Sequence, residues 1–192
     1  MAVELFEICK AYGANIVLDN FSCRIEEGAV TCIMGPSGRG KTTLLRIMLG
    51  LEQPDSGRVT GMSGRRKSAV FQEDRLCDNL SAASNIRLVC RKGMRNEEIE
   101  AAMSAVGLAS DCLNQTVRSM SGGQRRRVVI LRALMADYDV LVMDEPFKEL
   151  DVEAKEKAIL HTREHSLGKT VVFVTHDESE CDILGGRLIR LE

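Results

Sequence analysis

An α/β fold, with a mostly parallel sheet covered by helices on both faces and interrupted by a helical insert, is what this sequence predicts. Three observations lead there. Short β-branched runs alternate with helical stretches through the last third, the order that crossover helices between parallel strands produce. A glycine-rich turn, "GPSGRGKT" from Gly35 to Thr42, stands between an apolar strand and a helical segment. From about Asp74 to Met120 the pattern turns helical, with strand-like runs on either side.

Taken in order, "VELFEI", "IVLDNFSCRI" and "AVTCIM" are rich in Val, Ile and Phe and read as strands, punctuated by "YGAN" and "EEGA". "TTLLRIMLG" reads as a short helix closed by Gly50, and "EQPDSG" as the turn after it. "RVTGMSGRRKSAVF" leads into a strand ending at Phe71. Within the insert Asn96 is the expected N-cap of a helix, with Glu97 and Glu98 in its first turn and Ile99, Met103 and Val106 on one face. A helix follows Ser121. Then come the buried strand "DVLVM", the helix "VEAKEKAILHTREH", the strand "TVVFV" and a last short strand "RLIRL". No internal repeat or low-complexity linker divides the chain, so residues 1–192 are expected to form a single domain.

Composition removes several function classes. Lys and Arg total 26 against 28 Asp and Glu, and a net charge of −2 sets up no overall field for nucleic acid or an anionic membrane. Aromatic residues make up 4% with no Trp, which removes a platform for stacked bases. The seven cysteines (Cys9, Cys23, Cys32, Cys77, Cys90, Cys112, Cys181) form no CxxC pair and read as reduced thiols of a cytosolic protein, mostly buried. The start "MAVELFEICK" has neither the basic region nor the apolar run of a signal peptide. No run reaches the ~18 apolar residues of a membrane span.

The chemistry begins at Gly35–Thr42, which fits G-x-x-x-x-G-K-[ST] in its proper strand-to-helix setting. Glycines let the backbone N–H groups of residues 38 to 43 turn inward onto phosphates, so Gly35, Pro36, Ser37, Gly38, Gly40 and Thr43 belong to the cradle. Lys41 would place its charge on the β- and γ-oxygens, and the Thr42 hydroxyl would ligate Mg²⁺. Arg39 lies in the same loop at a variable position and is expected to point to solvent. "VLVMDEP" supplies the complementary acids. A buried strand delivers Asp144 to its carboxyl edge to hold the Mg²⁺ shell, and Glu145 follows as a carboxylate able to deprotonate a water. Ser121-Gly122-Gly123, opening a helix, is a second anion nest with no use in this reading.

That second nest carries a resemblance. "MSGGQRRR", Met120 to Arg127, resembles the signature motif of ATP-binding cassette (ABC) ATPases, and the family's other landmarks follow in order. Gln72 in "VFQED" matches the Q-loop, Asp151 in "KELD" the D-loop, His176 in "VTHD" the switch, and Tyr12 in "KAYG" the aromatic that stacks on adenine. "KELD" departs from the family's small first residue by having Lys148. The resemblance implies a P-loop NTPase fold: a RecA-like parallel core, an N-terminal antiparallel β-subdomain and a helical subdomain over roughly 74–120. It further implies that ATP and Mg²⁺ are the cofactors and that two subunits dock head to tail. Ser121, Gly122, Gly123 and Gln124 would then act on ATP held by the partner's cradle, and a symmetric homodimer would close two sites. Glu145 becomes the catalytic base, His176 a γ-phosphate contact, and Gln72 a Mg²⁺ or water ligand.

Among ABC proteins the resemblance points to the ATPase subunit of an importer, peripheral on the cytoplasmic face of the membrane. Its partners would be separate transmembrane permease subunits and an extracytoplasmic substrate-binding protein. "VFQEDRL" resembles the nitrate, sulfonate and taurine branch, from which "CDNLSAASNIRLV" departs. An exporter or lipid-release ATPase is the alternative. A soluble ABC ATPase of DNA maintenance or translation would need coiled-coil insertions or tandem cassettes, which this sequence does not contain. After "RLIRLE" no C-terminal regulatory domain is expected. The run Arg125–Arg127 reads as one solvated helix face, and no nucleic-acid partner is expected.

Overall fold

The computed structural model describes residues 1–91 and 93–191. Its centre is a five-stranded parallel sheet. β3 (Val30–Met34), β6 (Val140–Asp144) and β7 (Thr170–Val174) are flanked by β5 (Lys67–Val70) and β8 (Arg187–Arg190), in the order β5-β6-β7-β3-β8. The three inner strands are apolar almost throughout because both of their faces are covered. Successive side chains divide between two cores with the period of two that a pleat imposes. Val140, Val142, Val172 and Val174 face one core with Ile33. Leu141, Met143, Val171 and Phe173 face the other with Cys32 and Met34.

The first core is closed by α1 (Lys41–Leu49) and by a three-stranded antiparallel sheet. That sheet comprises β1 (Val3–Tyr12), β2 (Asn15–Ile25) and β4 (Ser56–Thr60), in the order β2-β1-β4. Leu44, Leu45, Ile47 and Met48 of α1 meet Val3, Leu5, Ile8 and Ile25 there. Gly50, at φ 77°, ends α1 in a left-handed cap, and its N–H donates back to Arg46 and Ile47. The second core is closed by α4 (Gly122–Leu134) and α5 (Val152–His165), through Val129, Ile130, Ala133, Ala158 and Ile159.

Between β5 and β6 the chain forms α2 (Ala82–Arg87), α3 (Asn96–Ala105) and two short 3-10 turns. Ile86, Ile99, Met103, Val106 and Val117 form a third core, against Val128 and Leu131 of α4. One helix is therefore shared by the insert and the parallel sheet. Asn96 is not the N-cap but the first helical residue. Arg95 holds the cap position, because Glu98 accepts from the Arg95 N–H at 2.9 Å. A further helix, α6 (Glu178–Leu184), stands between β7 and β8 where the sequence reading placed nothing. All seven cysteines are free; three are buried, three half-buried and Cys77 exposed, so "mostly buried" overstated their cover.

Candidate active site

The chemistry-bearing residues gather at the carboxyl ends of β3, β6 and β7, where an open parallel sheet leaves a crevice. β3 ends at Met34 and the loop from Gly35 to Gly40 runs directly into α1, whose first residue is Lys41. Two of its glycines are demanded by contact. A Cβ on Gly35 would lie 2.4 Å from the Leu191 carbonyl oxygen. One on Gly40, at φ 75°, would lie 2.4 Å from that of Val17. The loop is thus wedged between the parallel sheet and β2. Pro36, Ser37, Gly38 and Arg39 are exposed, and Thr43 is half-buried. Lys41 is only 6% exposed, and its Nζ donates to the carbonyls of Gly35 and Pro36, each at 2.8 Å. Burial pushes the Lys41 ammonium pKa down, while the Glu145 and Asp144 charges pull it back up.

Asp144 is the buried last residue of β6. Burial raises its carboxyl pKa, opposed by the Thr42 hydroxyl and by the charges of Arg126 and Lys41. Thr42, Gln72 and Asp144 line one pocket of about 110 Å³. Hydroxyl, amide and carboxylate oxygens make a donor set for a hard divalent cation, and a buried carboxylate favours positive charge nearby. The residues therefore fit Mg²⁺.

Glu145 adopts φ 45°, a left-handed backbone that a non-glycine residue occupies at a cost of about 1–3 kcal/mol. The turn is pinned by its N–H, which donates to the Val174 carbonyl at 2.9 Å. Its carboxylate lies 2.9 Å from His176 Nε2 and 3.3 Å from Lys148 Nζ. Ser37, Gln72, Glu145, Thr175 and His176 line a second pocket of about 510 Å³.

The signature segment caps α4. Ser121 Oγ accepts from the Gln124 N–H at 3.3 Å, and Gln124 Oε1 accepts from the Ser121 N–H at 2.9 Å. Ser121 and Gly122 are exposed, with open space beside the Gly122 Cα. Gly122 borders a third pocket together with Gln72 and Glu145. Gln72 borders all three pockets, whereas Tyr12 and Asp151 border none of them. Tyr12 ends β1 half-exposed, with the Lys10 ammonium 5.5 Å from its ring centroid. Asp151 is the N-cap of α5, its Oδ1 accepting from the Ala154 N–H at 2.9 Å.

Over residues 18–148 the chain matches the family described as ABC transporter. It belongs to that family. Among curated relatives, the spermidine/putrescine import ATP-binding protein of Treponema pallidum is 37% identical over 97% of this chain and 53% of its own length. The Fe(3+) ions import ATP-binding protein of Rhizobium meliloti is 36% identical over 98% of this chain and 58% of its own length. The sulfate/thiosulfate import ATP-binding protein of Rhodopseudomonas palustris is 34% identical over 100% of this chain and 61% of its own length. The chain thus spans little more than half the length of these relatives. A bacterial ABC transporter cassette solved as a dimer superposes with a TM-score of 0.85 at 30% identity, covering 98% of this chain and 94% of the other. A structure of a cassette dimer in a post-hydrolysis state, bound to ADP and Pi, gives 0.84 at 31% identity, covering 99% of this chain and 94% of the other. The fold is that of the ABC cassette: a P-loop NTPase core with an antiparallel sheet and added helices.

Within this ABC cassette the arginine run is not a solvated face. Arg126 is 6% exposed and uses its whole fork. Nε donates to the Pro146 carbonyl at 2.8 Å, Nη1 to Phe71 and Gln72 at 2.7 and 3.4 Å, and Nη2 to Asp144 and Glu145 at 3.0 and 2.7 Å. It ties the signature helix to the backbone of Gln72 and of both acids. Arg125 pairs with Asp74 at 3.3 Å and Asp78 at 2.9 Å. Arg127 donates to the Val106 and Gly107 carbonyls, closing the end of α3. Lys155 on α5 is a second unforeseen tie, 2.6 Å from both Asp177 and Glu180, the residues that hold the turn after His176.

Proposed function

We propose that this chain binds ATP with Mg²⁺ and hydrolyses it to ADP and phosphate, as the peripheral ATPase subunit of an importer. The observation that carries this reading is the position of Gln72, which borders Thr42 and Asp144 in one pocket and Ser37, Glu145 and His176 in the next. Cation ligands, phosphate loop and base thus share one crevice. Lys41 holds two loop carbonyls that its ammonium would exchange for β- and γ-phosphate oxygens. Thr42, Gln72 and Asp144 would hold Mg²⁺, which when bound neutralises charge on those oxygens. Glu145 takes the proton of the attacking water, and His176, already within reach of that carboxylate, steadies it beside the γ-phosphate. Tyr12 stacks on the adenine.

Ser121, Gly122, Gly123 and Gln124 complete the site of a second copy. The exposed start of α4 at Ser121 and Gly122 opens toward solvent, and the positive helix end suits a partner-held γ-phosphate. Asp151 and Lys148 would lie along that dimer seam. The dimeric cassette of the same fold supports this arrangement, and the one bound to ADP and Pi supports hydrolysis. The three relatives are import ATP-binding proteins, which favours import over export. They differ in solute, and none of the three speaks for the nitrate, sulfonate and taurine branch. Permease subunits, a substrate-binding protein and a place on the cytoplasmic face of the membrane belong to this reading. Among the described residues no helix is long and apolar enough to cross a membrane, which suits a partner that does.

The test is Glu145→Gln. ATP affinity should stay within about threefold while turnover falls roughly 100-fold or more, the scale of a lost general base. Unchanged turnover would remove the assignment.

A further inference from the structure

The last turn of α5 carries His161, Glu164 and His165 at the opposite edge of the sheet from the nucleotide crevice, just before β7 begins. Spacings of three and four residues bring all three to one side of the helix. One nitrogen from each imidazole and a Glu164 carboxylate oxygen lie within 4.8 Å of one another. The two rings stand 3.9 Å apart between centroids.

Two features mark this group as more than a surface cluster. His161 is 5% exposed, and its Nε2 is buried with no hydrogen-bond partner among the described residues. Buried nitrogens in that condition are rare and call for a partner such as water or an ion. His165, in turn, sets its Nδ1 3.0 Å from the His161 carbonyl oxygen. A proton on Nδ1 is then donated to that carbonyl, and the lone pair on Nε2 stays free, as in imidazoles that bind metals. The three residues line a cavity of about 830 Å³ between α5, α3 and the segment leading into β6. Glu98 and Asp137 add carboxylates to its wall, with Arg91 as the opposing charge.

We propose that His161, Glu164 and His165 form a binding site for a divalent transition-metal ion of the zinc type, with water completing the coordination. Two imidazoles and one carboxylate suit Zn²⁺ or Co²⁺ and not the all-oxygen preference of Mg²⁺. This site is separate from the Mg²⁺ ligands of the nucleotide crevice and does not depend on their assignment.

The probe is Co²⁺ added to the full, reduced, chelator-stripped chain, read by its visible absorption. One ion per chain should bind with no sulfur-to-cobalt charge-transfer band, which separates this site from the seven cysteines. Excess Mg²⁺ should not displace it. Glu164 and His165 are exposed, so Glu164→Gln and His165→Ala are expected to fold, with ATP turnover as the check. Affinity should fall roughly tenfold or more in Glu164→Gln and further in His165→Ala. No Co²⁺ binding, a thiolate band, or unchanged affinity in His165→Ala would each overturn the proposal.

Discussion

Arg126 shows what a single residue decides in this cassette. Five carbonyl contacts from one buried guanidinium hold the Q-loop and the acid turn to the signature helix. Lys offers a point charge on a stem and cannot reproduce the planar fork. Arg126→Lys should therefore cost about 2–4 kcal/mol in urea denaturation by stranding buried carbonyls. Turnover should drop roughly tenfold or more through misplaced groups, with KM for ATP little changed. A stability loss without any kcat loss would reduce Arg126 to a structural tie. Its position was legible in principle: Arg126, Ile130 and Ala133 share one face of α4 at spacings of four and three. Three consecutive arginines obscured that periodicity, because charge argued for solvent and only the neighbouring carbonyls explain the burial. The motif marks Lys41 as the charge of the loop, but its resting hold on the Gly35 and Pro36 carbonyls is not visible in sequence. Lys41→Ala should weaken ATP binding roughly 10–100-fold, the worth of one charged hydrogen-bonding group, as measured by equilibrium titration.

Among the elements, α6 was invisible to periodicity because it is seven residues long and rich in acids, "ESECDIL". Its start is fixed by side chains and not by an apolar stripe. Asp177 Oδ1 accepts from the Ser179 N–H at 3.0 Å, Thr175 donates to Glu180 at 2.6 Å, and Lys155 reaches both acids from α5. The Lys155 ammonium, with Ser179 second, holds the Asp177 carboxyl pKa down to about 2. A folded value below the unfolded one means that the unfolded chain takes up its proton first as pH falls. The contribution is complete above the ordinary carboxylate range and is lost as pH drops through about 2. Acid titration followed by circular dichroism should show stability declining across that window, and Lys155→Met should flatten the decline. Parallel curves for the two proteins would contradict the tie. The inner strands β6 and β7, by contrast, were readable to within a residue, since "DVLVM" and "TVVFV" are short, β-branched and apolar on both faces, whereas β4 lay partly inside what reads as a turn.

At the scale of the molecule, two cores on either side of one parallel sheet place the phosphate loop, the acid pair and His176 at a single edge. The order of strands and helices was enough to predict the sheet and that edge. It could not reveal that α4 is shared between the sheet and the insert, because that depends on Val128 and Leu131 turning one way and Val129 and Ile130 the other. The shared helix has a mechanical consequence: its exposed N-terminus, Ser121 and Gly122, is fixed to the same body as Gln72 and Glu145 yet faces outward. In the dimer proposed above, a chain built this way would hold a phosphate loop for itself and an anion nest for a neighbour. The most direct measurement is the mass in solution of the Glu145→Gln chain with saturating ATP and Mg²⁺, by light scattering. The mass should double on adding ATP and return to that of the monomer when Ser121→Arg is added to the same chain. A Glu145→Gln chain that binds ATP and keeps the monomer mass at every concentration tested would contradict the shared site.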